Sequence, residues 1–339
     1  MPSVVGSILR AAHREDGKPL NILTFPTHER YETGLCLTGH RFWAVRAPGI
    51  KDWNRTYAPL PTNYVLLNAD LGDHQIPPEL DFDLVLSQNK FGQFQKAIRF
   101  SHRFQLPLVS LEHTLPYPSW GKGRRQLLRE MKGHVNVFIS DFSRKEWGWD
   151  EQQAEIIHHG IDTDLFSPAE VEKKRHILSV VNDWVNRDWC CGFELWRKTA
   201  GGLPVHVVGD TPGLSKPAKS TADLVAAYRE ARIFLNTSLI SPVPTALLEA
   251  MSCGCACVST ANCMIPEVIE HGKNGLISND PLVLRKYLER LLADSSLVAE
   301  LGAAARRTIL TRFSMPSFTS NWHTLFHNAA RIPYRGEYA

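Results

Sequence analysis

Residues 233–278 constrain this chain most: IFLNTSLISPVPTALLEAMSCGCACVSTANCMIPEVIEHGKNGLIS. A short apolar run (233–235) enters a polar, proline-stiffened loop (236–244). A compact helical stretch with one acid, Glu249, follows, then Gly254 and a second apolar run (255–258). Apolar runs this short, bounded by turn signals, read as buried parallel strands. The unit is strand–loop–helix–strand, with its polar residues at the strand's carboxyl end, where open α/β sheets bind ligands. Proline is favoured in a first helical turn, so the helix is expected to begin near Pro244 or Thr245. The N–H groups of Thr245, Ala246, Leu247 and Leu248 would then be unbonded and, with the helix dipole, suit a phosphate. Glu249 lies about one turn further in, where a carboxylate can accept bonds from sugar hydroxyls. Phosphate beside hydroxyls is the chemistry of a nucleotide-diphosphate sugar.

The same stretch resembles the donor-binding segment of retaining GT-B glycosyltransferases of family 4, the glycogen-synthase-like group. That segment reads E-x7-E, then A-M-x-x-G, a strand, P-E-V/I and N-G-L/F. Here Glu249 is the second acid, followed by Ala250, Met251 and Gly254, then Pro266-Glu267-Val268 and Asn274-Gly275-Leu276. The first acid's position holds Ser241. A second likeness is the family's P-N-G-V/I-D … F-x-P turn into the second domain: His158-His159-Gly160-Ile161-Asp162 and Phe166-Ser167-Pro168 match it apart from the two histidines. Those histidines read either as metal ligands or as a turn beside a hinge.

The rest of the chain alternates apolar strand candidates with helical spacing. In the first half the strands are 20–25, 41–45, 64–67, 83–87, 108–112 and 135–139. In the second they are 177–181 and 205–208, ahead of the opening unit, with helices at 192–200, 221–230, 281–293, 295–311 and 315–329 and a charged linker at 170–175. Such alternation implies doubly wound parallel sheets. The expected fold is α/β of the GT-B type, two Rossmann-like domains facing a central cleft. The expected boundaries are an N-terminal acceptor-side domain over 1–166, a donor-binding domain over 167–314, and a C-terminal helix over 315–339 crossing back toward the first domain.

At 339 residues the chain has room for both domains. No stretch approaches the roughly 18 apolar residues of a membrane span, and residues 1–16 carry no signal-peptide pattern, so a cytoplasmic location is expected. Seven cysteines, unevenly spread, argue against a disulfide framework, and the C-x-C-x-C of Cys253, Cys255 and Cys257 lacks common zinc spacing. They read as buried thiols. Between Lys96 and Lys132 eight Lys/Arg face two acids, so 121–133 forms a helix with a basic face. That face is either plainly solvated or meets an anionic acceptor, a membrane surface or nucleic acid.

The resemblance also places residues in roles. It expects a G-R near the end of the second domain's first strand, where Asn182-Asp183 stand, and a lysine before a later glycine, where Cys191 precedes Gly192. Arg187 is either the substitute cation for the leaving diphosphate or a surface arginine on a connecting loop, with Lys216 after Gly209 a further candidate and Lys219 another. Glu249 is expected on the ribose; Thr245, Ala246 and Leu247 act through backbone amides. Ser241 faces the transferred sugar, and His113, matching a strand-end histidine of the family, bonds its outer hydroxyls. His28, Glu29 and Arg30 stand where a glycine-rich turn is usual, and either touch acceptor or phosphate or cap a helix. Trp43, Trp53, Trp120, Trp184 and Trp189 either stack on sugars or bases or serve in packing.

The function these features imply is transfer of a sugar from a nucleotide diphosphate to an acceptor hydroxyl, with retention and without metal or other cofactor. The acceptor is a glycan, a lipid carrier, a small molecule or a modified nucleic-acid base. Two alternatives stay open: another GT-B activity, such as an epimerase or hydrolase, and a non-catalytic sugar-nucleotide-binding module.

Overall fold

A computed structural model describes residues 4–13, 17–68, 75–77 and 79–334. The chain divides into two compact units, one formed by Met1–His159 with Pro316–Ala339, the other by Gly160–Met315.

The first unit begins with α1 (Val4–Ala12), β1 (Asn21–Thr24), α2 (Glu29–Cys36), β2 (Arg41–Arg46) and β3 (Tyr64–Asn68). It continues through β4 (Leu84–Ser87), α3 (Phe94–Phe104), β5 (Leu108–Glu112), α4 (Lys122–Arg129), β6 (Val135–Phe138), α5 (Asp141–Glu146) and β7 (Glu155–Ile156). Its strands form one parallel sheet in the order β3-β2-β1-β4-β5-β6-β7. Every residue of β4 and β5 is buried, which is why these strands read as continuous rather than alternating apolar runs. Strand order reverses between β1 and β4, the kind of point at which open α/β sheets bind ligands.

The second unit runs β8 (Lys174–Val180), α6 (Asp188–Cys191), α7 (Phe193–Ala200), β9 (Val205–Val208), α8 (Thr221–Glu230) and β10 (Ala231–Asn236). Then come α9 (Thr245–Ser252), β11 (Ala256–Ser259), α10 (Ile265–Val268), β12 (Leu276–Ile277), α11 (Pro281–Ala293) and α12 (Ser295–Arg312). A last helix, α13 (Met315–Ala330), lies almost wholly in the first unit. The second sheet is also parallel, ordered β12-β11-β10-β8-β9, with its reversal between β8 and β10.

Two expectations shift. The units divide at 159/160 rather than after 166, because Ile161 exchanges backbone bonds with Phe313 and Met315, and Phe166 packs in the second unit's core. Residues 174–175 are strand, not linker: Lys174 pairs with Ala231, but the exposed start of β8 carries no apolar signal. The helix foreseen at 192–200 is α7, and a short helix that was not foreseen, α6, precedes it across left-handed Gly192. Within the 315–339 segment, α13 packs Phe318 and Trp322 against Tyr31, whose hydroxyl accepts the Trp322 indole N–H at 3.0 Å; residues 335–339 lie outside the described residues.

Candidate functional site

In the second unit, the loops after β8, β9 and β10 interlock at the carboxyl edge of the sheet. Asn182 Oδ1 accepts Asp210 N–H at 2.9 Å, and Thr211 Oγ1 accepts Trp184 N–H at 3.1 Å. Gly209, at φ +142°, lies so close that a Cβ there would stand 1.9 Å from Val181 O. Its N–H donates to Lys216 O at 3.0 Å, which draws Lys216 to the end of β9 and leaves its side chain exposed. On the other side, Cys190 O accepts the N–H groups of Leu239 and Ile240, while Cys191 O accepts Thr237 Oγ1–H and the Trp184 indole N–H. Gly192, at φ +66°, permits this: a Cβ would stand 2.1 Å from Thr237 O. So Gly209, Lys216, Cys191 and the 237–240 loop share one rim.

Helix α9 rises from that rim and begins at Thr245, one of the two starts expected, with Pro244 as its N-cap. A tight turn sends Thr245 N–H to Val243 O at 3.0 Å, and Pro244 O takes both Leu247 and Leu248 N–H at 2.9 and 3.2 Å. Of the four amides, Ala246 N–H alone has no backbone acceptor among the described residues. The amide cradle is therefore narrower than foreseen, and Thr245 offers a half-buried hydroxyl rather than its amide.

Glu249 is 5% exposed, and its Oε2 accepts Tyr228 O–H from α8 at 2.9 Å. Burial first, then the nearby carboxylate, pushes the Tyr228 phenol well above its usual range, so it stays a donor. Tyr228 thereby fixes the Glu249 carboxylate in place. Tyr228→Phe is expected to weaken nucleoside-diphosphate binding about tenfold with the fold retained; titration that finds wild-type affinity would show that Tyr228 does not position Glu249.

Arg187 and Ser241 stand on the loops that follow β8 and β10. Arg187 is exposed at the N-cap of α6, its Nη1 3.5 Å from Asn182 O. Ser241 is half-buried in the loop between β10 and α9. Cys191 is half-buried, and its thiol, pushed up to about 12 chiefly by burial, brings no charge to the lysine position. Cys253, Cys255 and Cys257 are fully buried, and burial raises each thiol.

In the first unit, the strand-order reversal carries a polar network. Glu32, 1% exposed, accepts Thr27 and His28 N–H on Oε2, and Tyr64 O–H and Gln88 Nε2–H on Oε1. It thus fixes the loop after β1. Glu29 is structural, accepting Asn54 N–H and the Lys51 ammonium at 3.0 and 2.8 Å. His113, 4% exposed at the end of β5, meets Tyr31, His28 and His159 edge-on, with ring centroids 4.5, 5.2 and 5.8 Å away. Burial first, then the two histidines, hold its imidazole well below the usual range, so it is neutral. Trp43, Trp53 and Trp184 are buried in packing, whereas Trp189 is 54% exposed.

One group among the described residues has metal-ligand geometry: His40, His323 and His327, with ligand atoms within 4.8 Å of one another. His40 does not fit that use. Its Nδ1 accepts Leu20 N–H at 3.1 Å, which keeps the proton on Nε2 and leaves neither nitrogen a free lone pair for a metal.

Residues 216–308, which hold α8, β10, α9 and Glu249, match the family Glycosyl transferases group 1. Over 93 residues the chain is 32% identical to N-acetyl-alpha-D-glucosaminyl L-malate synthase of Bacillus anthracis, covering 27% of this chain and 24% of that protein. Over 211 residues it is 24% identical to alpha-maltose-1-phosphate synthase of Mycolicibacterium smegmatis, covering 49% and 54%. The chain thus spans about half or less of the length of these curated relatives. Its fold is similar to that of Anabaena HepE, solved with UDP and glucose: TM-score 0.71, 14% identity, 90% of this chain and 98% of that one. The chain therefore has the GT-B fold, and its residues 216–308 are similar to the glycosyl transferases group 1 family.

Proposed function

We propose that the protein is a glycosyltransferase that moves a sugar from a nucleotide diphosphate, UDP being the first candidate, to an acceptor hydroxyl. The observation that carries this reading is Glu249: a buried, tyrosine-anchored carboxylate on the helix after β10, beside the strand-order reversal and inside the matched segment. In this reading Glu249 accepts the ribose hydroxyls. The diphosphate meets Ala246 N–H, the Thr245 hydroxyl and the exposed cations Arg187 and Lys216, which stabilise the charge that develops as it leaves. Gly209 and Leu247 shape the rim by backbone and packing. Ser241 offers the sugar a neutral hydroxyl, and His113 a neutral imidazole.

The chemistry proposed is retaining and metal-independent. The anomeric carbon–phosphate oxygen bond breaks as the acceptor oxygen bonds the same face. The acceptor's proton passes to the departing phosphate, so no protein nucleophile is required. A second reading, a sugar-nucleotide-binding module without turnover, is favoured by the departures at Ser241 and Cys191. Incubating the full chain with UDP-sugars and panels of glycan, lipid-carrier, small-molecule and nucleic-acid acceptors, with a chelator present, separates the two. The proposal expects acceptor-dependent release of UDP and an unchanged anomeric configuration. UDP binding without turnover supports the module, and turnover lost to the chelator overturns metal independence.

A further inference from the structure

Gln88 ends the polar network at the reversal point of the first sheet and is fully buried. Its Nε2 donates to Glu32 Oε1 at 2.8 Å and to Phe25 O at 3.3 Å. An amide side chain can sit either way round, and its partners decide which end is which. Phe25 O can only accept, so the NH2 end faces it whatever the protonation of Glu32. Glu32, which already accepts from three other donors, gives the same answer. Gln88 Oε1 is therefore turned toward His113, whose Nε2 lies 3.4 Å away. A carbonyl oxygen accepts, so the His113 proton sits on Nε2. The ring is neutral for the reasons given above, and its Nδ1 must then be a bare lone pair. That atom is buried and has no hydrogen-bond partner. A buried acceptor in this condition is costly until a donor reaches it.

We propose that Gln88 is a positioning residue that holds His113 as the Nε2–H tautomer, so that Nδ1 accepts a hydrogen bond from a hydroxyl of the transferred sugar. The inference rests on the reading of His113 as a sugar contact. It also adds a selectivity rule: a sugar hydroxyl can donate to Nδ1, whereas a carbonyl oxygen or a deoxy position cannot.

Long-range nitrogen–proton NMR on the full chain with labelled histidine tests the tautomer without substrate, the His113 signals being identified by their loss in His113→Asn. The expected spectrum at pH 7 has Nε2 protonated and Nδ1 not. The opposite tautomer, or a doubly protonated ring, overturns the proposal. In turnover, Gln88→Met is expected to lower kcat/KM about tenfold in the wild-type background. On a His113→Ala background it should cost nothing more, because Gln88 acts through His113; additive losses overturn the proposal. His113→Asn, which puts an acceptor oxygen where Nδ1 stands, should retain more activity than His113→Gln, which puts one where Nε2 stands, and the reverse order counts against it. UDP affinity, read by titration, should be unchanged in Gln88→Met. Failure of wild-type protein to bind UDP would sink the donor-site reading while leaving the tautomer result intact.

Discussion

Replacing Gly209 by alanine is expected to lower the melting temperature of the second unit by roughly 10 °C. The added methyl would stand 1.9 Å from Val181 O, and the backbone is at φ +142°, a conformation L residues rarely adopt. The obstructing atom is backbone just past the end of the interior strand β8, so no side chain can swing aside. Overpacking and backbone strain together cost about 3–5 kcal/mol. Gly192→Ala, with its methyl 2.1 Å from Thr237 O, belongs to the same class and would also displace the 237–240 loop. Calorimetry on the full chain reads both changes. A Gly209→Ala protein that melts like wild type would show that the loops after β8 and β9 do not meet as described.

The second large effect is on binding. Glu249→Ala removes a carboxylate that is proposed to accept two ribose hydroxyls. Charge-assisted bonds of this kind contribute about 1.5–3 kcal/mol each, so losing two is expected to lower UDP affinity roughly 100- to 10,000-fold. Alanine also leaves the Tyr228 hydroxyl buried without its acceptor, and some loss of stability accompanies the change. Glu249→Gln separates the two consequences. It keeps the shape and an acceptor for Tyr228 but lowers the charge, so its fold should hold while its affinity falls about tenfold. Wild-type affinity in both variants, with the fold intact, would remove Glu249 from the donor site.

Much of the fold was legible in the sequence because the central strands are buried on both faces. Residues 84–87, 108–112 and 256–258 are apolar runs without alternation, bounded by turn residues, and the structure places them inside parallel sheets. Short elements left no such mark. Strands β7 and β12 have two residues each, and α6 and α10 four, too few for any period. The position of Glu249 was readable because the A-M-x-x-G and P-E-V spacing around it is local. Its partner was not: Tyr228 lies 21 residues upstream, on a helix whose apolar pattern reads only as core. The same holds in the first unit, where His113 closes a recognisable strand. Gln88 and Tyr31 reach it from separate elements, and Glu32, on the same helix as Tyr31, holds Gln88, an arrangement only tertiary packing brings together. The start of α9 was readable, but the bonding of its first amides was not, for a different reason. Proline fits both a first helical residue and a tight turn, and the Val243–Thr245 bond that decides between them is not encoded in residue type.

The most direct test of the central claim is calorimetric titration of UDP into the full-length chain and its Glu249→Ala variant. The account predicts saturable binding of one UDP per chain and its near-complete loss in the variant. No binding of UDP or of any other nucleoside diphosphate to the folded wild-type protein would contradict it.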